Sequence, residues 1–586
     1  MAKKIVWLVV SCLMVLSLVM ASCGPAAEVE EDEGEGAYAP ASEPKYGGTI
    51  TSYGYGYNRS FDPTKAQAIR VGHMQLTSNE LIQGDWTKGP QGSGDTIWDW
   101  GFVGDETLLV GELAESWEMP DAETIIWHIV EGAKFHDRAP VNGREVTAED
   151  VAWSMMYQYE WPGTWQNMAY PPESGLAPTS FKALDKYTVE VKVPAKGQKA
   201  ALLEMGENAY TSPPEVWIGD GPGEGEGMET WDKVIGSGPF LLTGHVSGTG
   251  STYSKNPDYW EMDPLHPQNR LPYPDTVKIL DIADVATRVT AFRTGKLDLV
   301  RGFAFEDALV LIDQIPEIQY TTKLGTPFVA AGRQDKPELP FDDIKVRQAM
   351  NLAVNQVEIL EDYLQGEGAL LGYPYHPTKT FEKMYTPMEE MPAGVKLLFT
   401  HDVDKAKELL AEAGYPDGFK TKIVVRNTEA DEASMVARYL QDVGIDMELD
   451  VVEAGVWSSI DAANSQEEMY YGSAKGCWNP MEMLQTKTGM YSNYAIIDDP
   501  YYDDLYEFIG NNMYGNPTEL MSRLKEAGVY ELESAWGIWM PGKNIYNMWW
   551  PWMQNYYGID WTGWAGLADW YKAVWIDEEM KAGMGY

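Results

Sequence analysis

Cysteine is nearly absent: Cys12, Cys23 and Cys477 are the three in 586 residues. The first two fall in an N-terminal leader, so Cys477 is alone in the folded body and no internal disulfide can form there. A lone cysteine without a nearby histidine reads as a small apolar residue, not a nucleophile. Basic residues are also scarce, 44 Lys and Arg against 89 Asp and Glu, for a net charge of −45. That field repels phosphate backbones and anionic membrane surfaces, which argues against nucleic acid as a partner. An acidic surface tuned for solubility accounts for it. Seven dispersed histidines form no His-x-x-x-His pair, so no metal site is signalled and no cofactor is expected. There is no Gly-x-Ser-x-Gly elbow and no Walker loop, and the acidic loop "GDGPGEGEG" (219–227) follows no strand that would make it a phosphate cradle. Nothing in the chain points to catalysis. Beyond the leader, no apolar run is long enough to span a bilayer.

The leader itself is informative. Lys3 and Lys4 precede an apolar run from Ile5 to Met20, which has the length of a signal-peptide core. Met20-Ala21-Ser22-Cys23 then resembles a bacterial lipobox, which implies lipidation of Cys23 as the first mature residue. An ordinary secretory signal is the alternative. Both place the body outside the cytoplasm. Residues 24–45, "GPAAEVEEDEGEGAYAPASEP" and Lys45, are too polar and Gly/Pro-rich to pack a core, and read as a tether.

The body, with 44% apolar and 23% charged residues, is globular, and its length implies two or three domains. Strand-like runs ("GGTITSYGYGY", "TIIWHIVEGAKF", "YTVEVKVP", "DTVKILDI") alternate with helical stretches at 148–159, 286–294, 344–364 and 403–413. Such alternation indicates an α/β class with mixed sheets. Within "KFHDRAPVNGREVTAEDVAWS" (134–154), Thr147 and Asp150 form a capping box ahead of an amphipathic helix, and Pro140, Asn142 and Gly143 mark the turn before it. His136-Asp137 reads as a turn contact, not a catalytic dyad.

Aromatic residues are in excess: 23 Trp, nine of them between Trp536 and Trp575. Such rings stack on sugars or fill apolar subsites, although large aromatics dominate ordinary cores too, and most of these are expected there. "TSYGYGYN" (51–58) alternates Tyr with Gly or Ser, so Tyr53, Tyr55 and Tyr57 are candidates for one aromatic strand face open to a ligand.

In order along the chain, "LAESWE" (113–118), "WHIVEGAKFHD" (127–137), "VTAEDVAWS" (146–154), "GSGPFLL" (236–242), "NPDYWE" (256–261), "TAFRTGKLD" (290–298), "PFDDIKVRQAMNLAVN" (340–355), "HDVDKAKELLAEAGYPDGF" (401–419) and "VGIDMELDVVE" (443–453) resemble the dipeptide, oligopeptide and nickel class of ABC-transporter substrate-binding proteins, solute-binding family 5. The resemblance covers nearly all of the chain from Tyr46. It implies a two-lobed "Venus flytrap" of the large oligopeptide-binding type. The first lobe would comprise 46–325 and 537–586, the second 326–536. A solute, peptide or oligosaccharide, would be enclosed between them and passed to an ABC permease by a monomeric protein.

In peptide-binding members a tryptophan of the second lobe is followed by an aspartate that pairs with the peptide amino terminus. The matching stretch here is "AKGCWNPMEML" (474–484): Trp478 is present, Asn479 follows it, and Glu482 is the first acid. A buried ammonium without a carboxylate partner is costly, so peptide binding would need Glu482 in that role, whereas the aromatic excess suits a glycan. Arg333 and Lys475 are candidates for a ligand carboxylate. Two other readings remain: a surface or adhesion protein that keeps the scaffold without transport, and an extracytoplasmic hydrolase.

Overall fold

The computed structural model describes residues 43–54, 61, 74–90, 92–98, 106–161, 164, 166–167, 177–217, 227–474, 493–512, 517–563, 566 and 568–586. The leader with Cys23 and its tether up to Ser42, Tyr55, Tyr57, Lys475, Trp478, Asn479 and Glu482 lie outside them.

Strand β1 (Thr49–Tyr53) runs parallel to β10 (Thr276–Leu280), which continues through β9 (Gly250–Lys255) to β8 (Phe240–Val246) as a four-stranded sheet. A second antiparallel sheet has the order β4 (Ala114–Asp121), β5 (Thr124–Ile129), β7 (Thr188–Lys192), β6 (Ser180–Ala183). On β7, Val189 and Val191 are buried while their neighbours are half-buried, the period-2 pattern of a strand with one face in the core. The helix Ala148–Glu160 packs on this sheet. Its capping box is present: the Thr147 N–H donates to the Asp150 carboxylate at 2.8 Å. Arg144 adds a fork on Asp150 at 2.8 and 2.6 Å and a second on Glu215 at 2.5 and 2.7 Å.

A third sheet has the order β11 (Leu299–Ala304), β19 (Gly542–Trp549), β12 (Gln319–Leu324). The fourth has five strands: β16 (Asp446–Val452), β15 (Lys420–Arg426), β17 (Met469–Ser473), β13 (Phe328–Gly332), β18 (Gly537–Trp539). It is covered on both faces. Ala330, Ile423, Val425, Met469 and Tyr471 enter one core with the helices Ile344–Ala353, Val403–Glu412 and Ala430–Gln441. Their strand neighbours Val329, Ala331, Val424 and Tyr470 enter another, with Trp457, Trp536 and Trp539. Burial on both sides explains why β13 is apolar throughout and why Ile423-Val424-Val425 of β15 does not alternate, whereas the edge strand β16 alternates acidic with apolar residues.

The expected helix 344–364 is two pieces. Val354 is extended, and the Asn355 side chain accepts the Glu358 N–H at 3.1 Å, which starts a new helix. β18 pairs with β13, so the chain leaves the five-stranded sheet after Trp539, near the expected end of the second lobe. In addition, Tyr502, Leu505, Ile509, Leu520 and Leu524, on the helices Pro500–Asn512 and Pro517–Glu533, share one core with Ile50 and Trp127. Their sequence range falls in the expected second lobe, and their apolar faces are buried in the core that also holds Ile50 and Trp127.

The "KFHD" segment is scaffold. His136 is buried, its Nε2 facing the Gly238 carbonyl at 3.1 Å and its Nδ1 accepting the Gly236 N–H at 3.3 Å. Burial pushes its pKa down to about 4, and that of buried His376 down to about 3, with Lys323 adding to the second shift. The unfolded chain therefore binds protons below about 6.5 that the native state refuses, so stability present above that pH is lost as pH falls toward 4. Urea midpoints are expected to drop across that window, and His136→Gln is expected to make the drop shallower.

Candidate functional site

Strands β12 and β13 are separated by Gly325-Thr326-Pro327, and β18 and β19 by Met540-Pro541. β12 pairs antiparallel with β19 (Leu324 opposite Asn544), and β13 pairs antiparallel with β18 (Val329 opposite Trp539). One two-stranded ladder thus passes from the sheet of β11, β19 and β12 into the five-stranded sheet. It stays stitched across the gap: the Gly325 N–H donates to the Lys543 carbonyl at 2.7 Å, and the Met540 N–H to Phe328 at 2.9 Å. Both connections carry a proline, which has no N–H to offer a ladder, so pairing is weakest at the bend. Glycine is required beside it, because a Cβ on Gly368 would stand 2.1 Å from the Gly542 carbonyl oxygen.

The candidate ligand residues 475–484 lie outside the described residues, and Ala474 just before them sits at this crossing. Ala474, the residue after β17, donates its N–H to the Pro327 carbonyl at 2.8 Å. The Tyr494 ring lies against Gly472, where a Cβ would meet it at 2.3 Å, and its hydroxyl donates to the Ser473 carbonyl at 3.1 Å.

Arg333 stands elsewhere. It follows β13 at the end away from the crossing, roughly 16 Å along the strand by its rise per residue. Its guanidinium forks onto Asp335 at 2.9 and 2.7 Å and donates to the Gln466 carbonyl at 2.7 Å. That carboxylate raises its pKa. Tyr53 ends β1 inside the first core, with its hydroxyl donated to the Arg301 carbonyl and the Arg288 guanidinium 4.8 Å from its ring centre. The structure does not bring Tyr53 and Arg333 together, since they belong to different sheets.

One group near the crossing has no sequence signature. Lys323, two residues before Gly325, is ion-paired to Asp560, and Arg301 Nη1 lies 3.4 Å from the same carboxylate and 3.2 Å from the Asp560 carbonyl. The Arg301 guanidinium also lies 5.7 Å from the Trp570 ring centre. Lys323, Arg301 and Asp560 are far apart in sequence, and only strand pairing collects them.

The tryptophans are mostly core. Trp536, Trp539, Trp549, Trp550, Trp552, Trp570 and Trp575 are buried. Trp550 and Trp552 stack at 4.5 Å, and their indole N–H groups donate to the Phe292 carbonyl at 2.9 Å and to Asp298 at 2.8 Å. Among the described residues no cluster of His, Cys, Asp and Glu is arranged to hold a metal ion, and no helix is long and apolar enough to cross a membrane.

Residues 109–494 match the model of bacterial extracellular solute-binding proteins, family 5. The chain belongs to this family. It is 28% identical to heme-binding protein A of Haemophilus influenzae over 55% of this chain and 56% of that protein, so the match spans little more than half of that relative. It is 25% identical to the oligopeptide-binding protein AppA of Bacillus subtilis over 78% of each. Its fold matches the periplasmic binding protein DppA of Helicobacter pylori, solved with the peptide STSA, with a TM-score of 0.66 at 21% identity over 91% of this chain and 99% of that one. The nonapeptide complex of B. subtilis AppA gives 0.64 at 19% identity, over 92% and 100%. The fold is therefore the two-lobed one of the family, mixed α/β with several sheets.

Proposed function

We propose that the protein captures a peptide between its lobes, at the crossing of the β12/β19 and β13/β18 ladder, and presents it to an ABC import permease. Lipid attached at Cys23 would hold it at the membrane. The observation that carries this reading is the ladder itself. Two hydrogen-bonded connections, each interrupted by proline, join sheets with separate cores, the arrangement that hinge closure uses. Trp478, Asn479 and Glu482 follow Ala474 in the sequence and would supply the aromatic contact and the acid for a peptide amino terminus. An oligosaccharide is the second ligand class, favoured by the aromatic excess. The burial of the C-terminal tryptophans takes most of those rings out of that argument.

Residues 38–586 are to be melted with a peptide pool and, separately, an oligosaccharide pool. Ligand at about a hundred times its dissociation constant stabilises by roughly 2.7 kcal/mol, a shift of a few degrees for a chain of this size. A shift with peptides alone supports the proposal, one with glycans alone replaces it, and silence from both removes both ligand classes. Trp478→Ala is expected to weaken binding of the active pool by about 1–3 kcal/mol, the scale of an aromatic anchor. Unchanged affinity takes Trp478 out of the site.

A further inference from the structure

The C-terminal stretch that holds Asp569 and Lys572 is buried in a nest of carboxyl groups. The Lys572 ammonium, 1% exposed, meets Glu261 at 2.7 Å, Gln83 Oε1 at 3.1 Å and Glu112 at 3.3 Å. Glu112 also accepts the Asn79 amide at 2.8 Å and the Glu80 N–H at 2.7 Å, and Glu261 accepts the Tyr259 hydroxyl at 2.6 Å. Two further acids face this group without an ammonium of their own. Glu80 is buried beside Glu112 and Glu207, with the Gln75 amide at 3.5 Å and the Tyr210 hydroxyl against it. Asp569 is buried beside Lys572, Glu112 and Glu261, and its Oδ2 has no hydrogen-bond partner.

Charge arithmetic decides the protonation. Glu80, Glu112, Glu261 and Asp569 face each other from the 75–83 segment, the β3–β4 turn (β3, Leu109–Gly111), the stretch after β9 and the 569–572 turn, and Glu207 on the helix Gln198–Asn208 lies beside Glu80. Lys572 is the one cation the described residues bring among them. Ionising Glu80, Glu112, Glu261 and Asp569 together around the single Lys572 ammonium would leave a net charge of about −3 out of water, a cost no hydrogen bond here offsets. Burial and the neighbouring carboxylates push Asp569 up to about 8 and Glu80 well above the carboxylate range.

We propose that this nest is a proton-held clasp: protonated carboxyls at Glu80 and Asp569 let the 568–576 strap close on the 75–83 and 112 segments, and their deprotonation at alkaline pH opens it. The strap is also held by the Ala568 N–H on Gln75 Oε1 at 2.9 Å, the Tyr273 N–H on the Lys572 carbonyl at 3.0 Å, the Asn555 amide on the Ala573 carbonyl at 2.9 Å, the Ser52–Tyr571 hydroxyl pair at 2.7 Å and the short pair β20 (Met553–Gln554) and β21 (Trp575–Ile576). The linkage has a definite sign. The native state keeps protons that the unfolded chain releases above about pH 4, so the stability they allow is lost as pH rises toward 8. The clasp lies in the first core and is independent of the ligand proposal.

The test is urea unfolding from pH 6 to 9 on the whole body, with hydrogen exchange of residues 568–576 in parallel. Each retained proton raises the unfolding constant by up to about tenfold per pH unit. Glu80→Gln and Asp569→Asn, which keep shape and remain neutral, are each expected to remove up to one such factor of ten per unit and to preserve strap protection at pH 9. An infrared C=O stretch of protonated carboxyl that persists at pH 7 in the wild type and weakens in either variant is the second readout, and needs only one variant to fold. Equal pH slopes in wild type and variants, or no protonated-carboxyl band at pH 7, overturns the clasp.

Discussion

Asp298→Ala is expected to cost about 3–5 kcal/mol of stability, the scale of breaking a buried ion pair by removing one partner. The Asp298 side chain is fully buried. It accepts the Thr51 N–H of β1 at 2.7 Å, the Trp552 indole N–H at 2.8 Å and the Lys581 ammonium at 2.7 Å. Its own backbone bridges the same elements, with its N–H on the Thr51 carbonyl at 2.7 Å and its carbonyl receiving the Trp550 N–H at 3.0 Å. One carboxylate thus ties β1, the start of β11 and the C-terminal stack of Trp550 and Trp552. Alanine leaves two buried N–H donors and a largely buried ammonium without their acceptor, each an expense of its own. Asp298→Asn keeps one acceptor oxygen and is expected to lose less. Urea unfolding followed by tryptophan fluorescence measures both. A loss under 1 kcal/mol for alanine would show that water replaces the carboxylate there.

Lys572→Met is the second large effect, again about 3–5 kcal/mol at neutral pH. Methionine matches the stem but deletes the charge between Glu112 and Glu261. Glu112, which burial already pushes above the ordinary carboxylate range, must then take up a proton to stay buried, so the variant is expected to lose more as pH rises and to recover partly in acid. Adding Glu261→Gln and Glu112→Gln removes the uncompensated charge as well, and the triple variant is expected to regain much of the loss. Non-recovery would mean that hydrogen-bond geometry, not charge, holds the nest together.

These two sites show how the sequence motifs work. "TAFRTGKLD" ends at Asp298, and "NPDYWE" ends at Tyr259, Trp260 and Glu261, two of which are wired into the nest. "KFHD" contributes His136, which holds the Gly236–Gly238 loop, and "VTAEDV" contributes the capping box. The residues that carry the family pattern hold the scaffold, as expected of caps and turns. None of them is at the crossing of the sheets.

The solvent-excluded strands and amphipathic helices were readable because each depends on neighbours within a turn or a pleat. Ala148–Glu160 and Val403–Glu412 begin and end within a residue of where caps and apolar spacing put them. Val354 and Asn355 broke an expected long helix because a side-chain cap competes with helix continuation, and spacing alone does not weigh that competition. The family, the globular class and the acidic character likewise follow from local motifs and composition. Tertiary structure alone decided the rest. The Lys323–Asp560 pair, the Asp298 hub and the Lys572 nest join residues far apart in the sequence, and the placement of Arg333 at the far end of β13 follows from strand direction. A linear pattern records which face a residue presents and not which distant residue meets it there. Charge pairs and buried carboxyls become visible only when strand register and core packing bring them within hydrogen-bond reach.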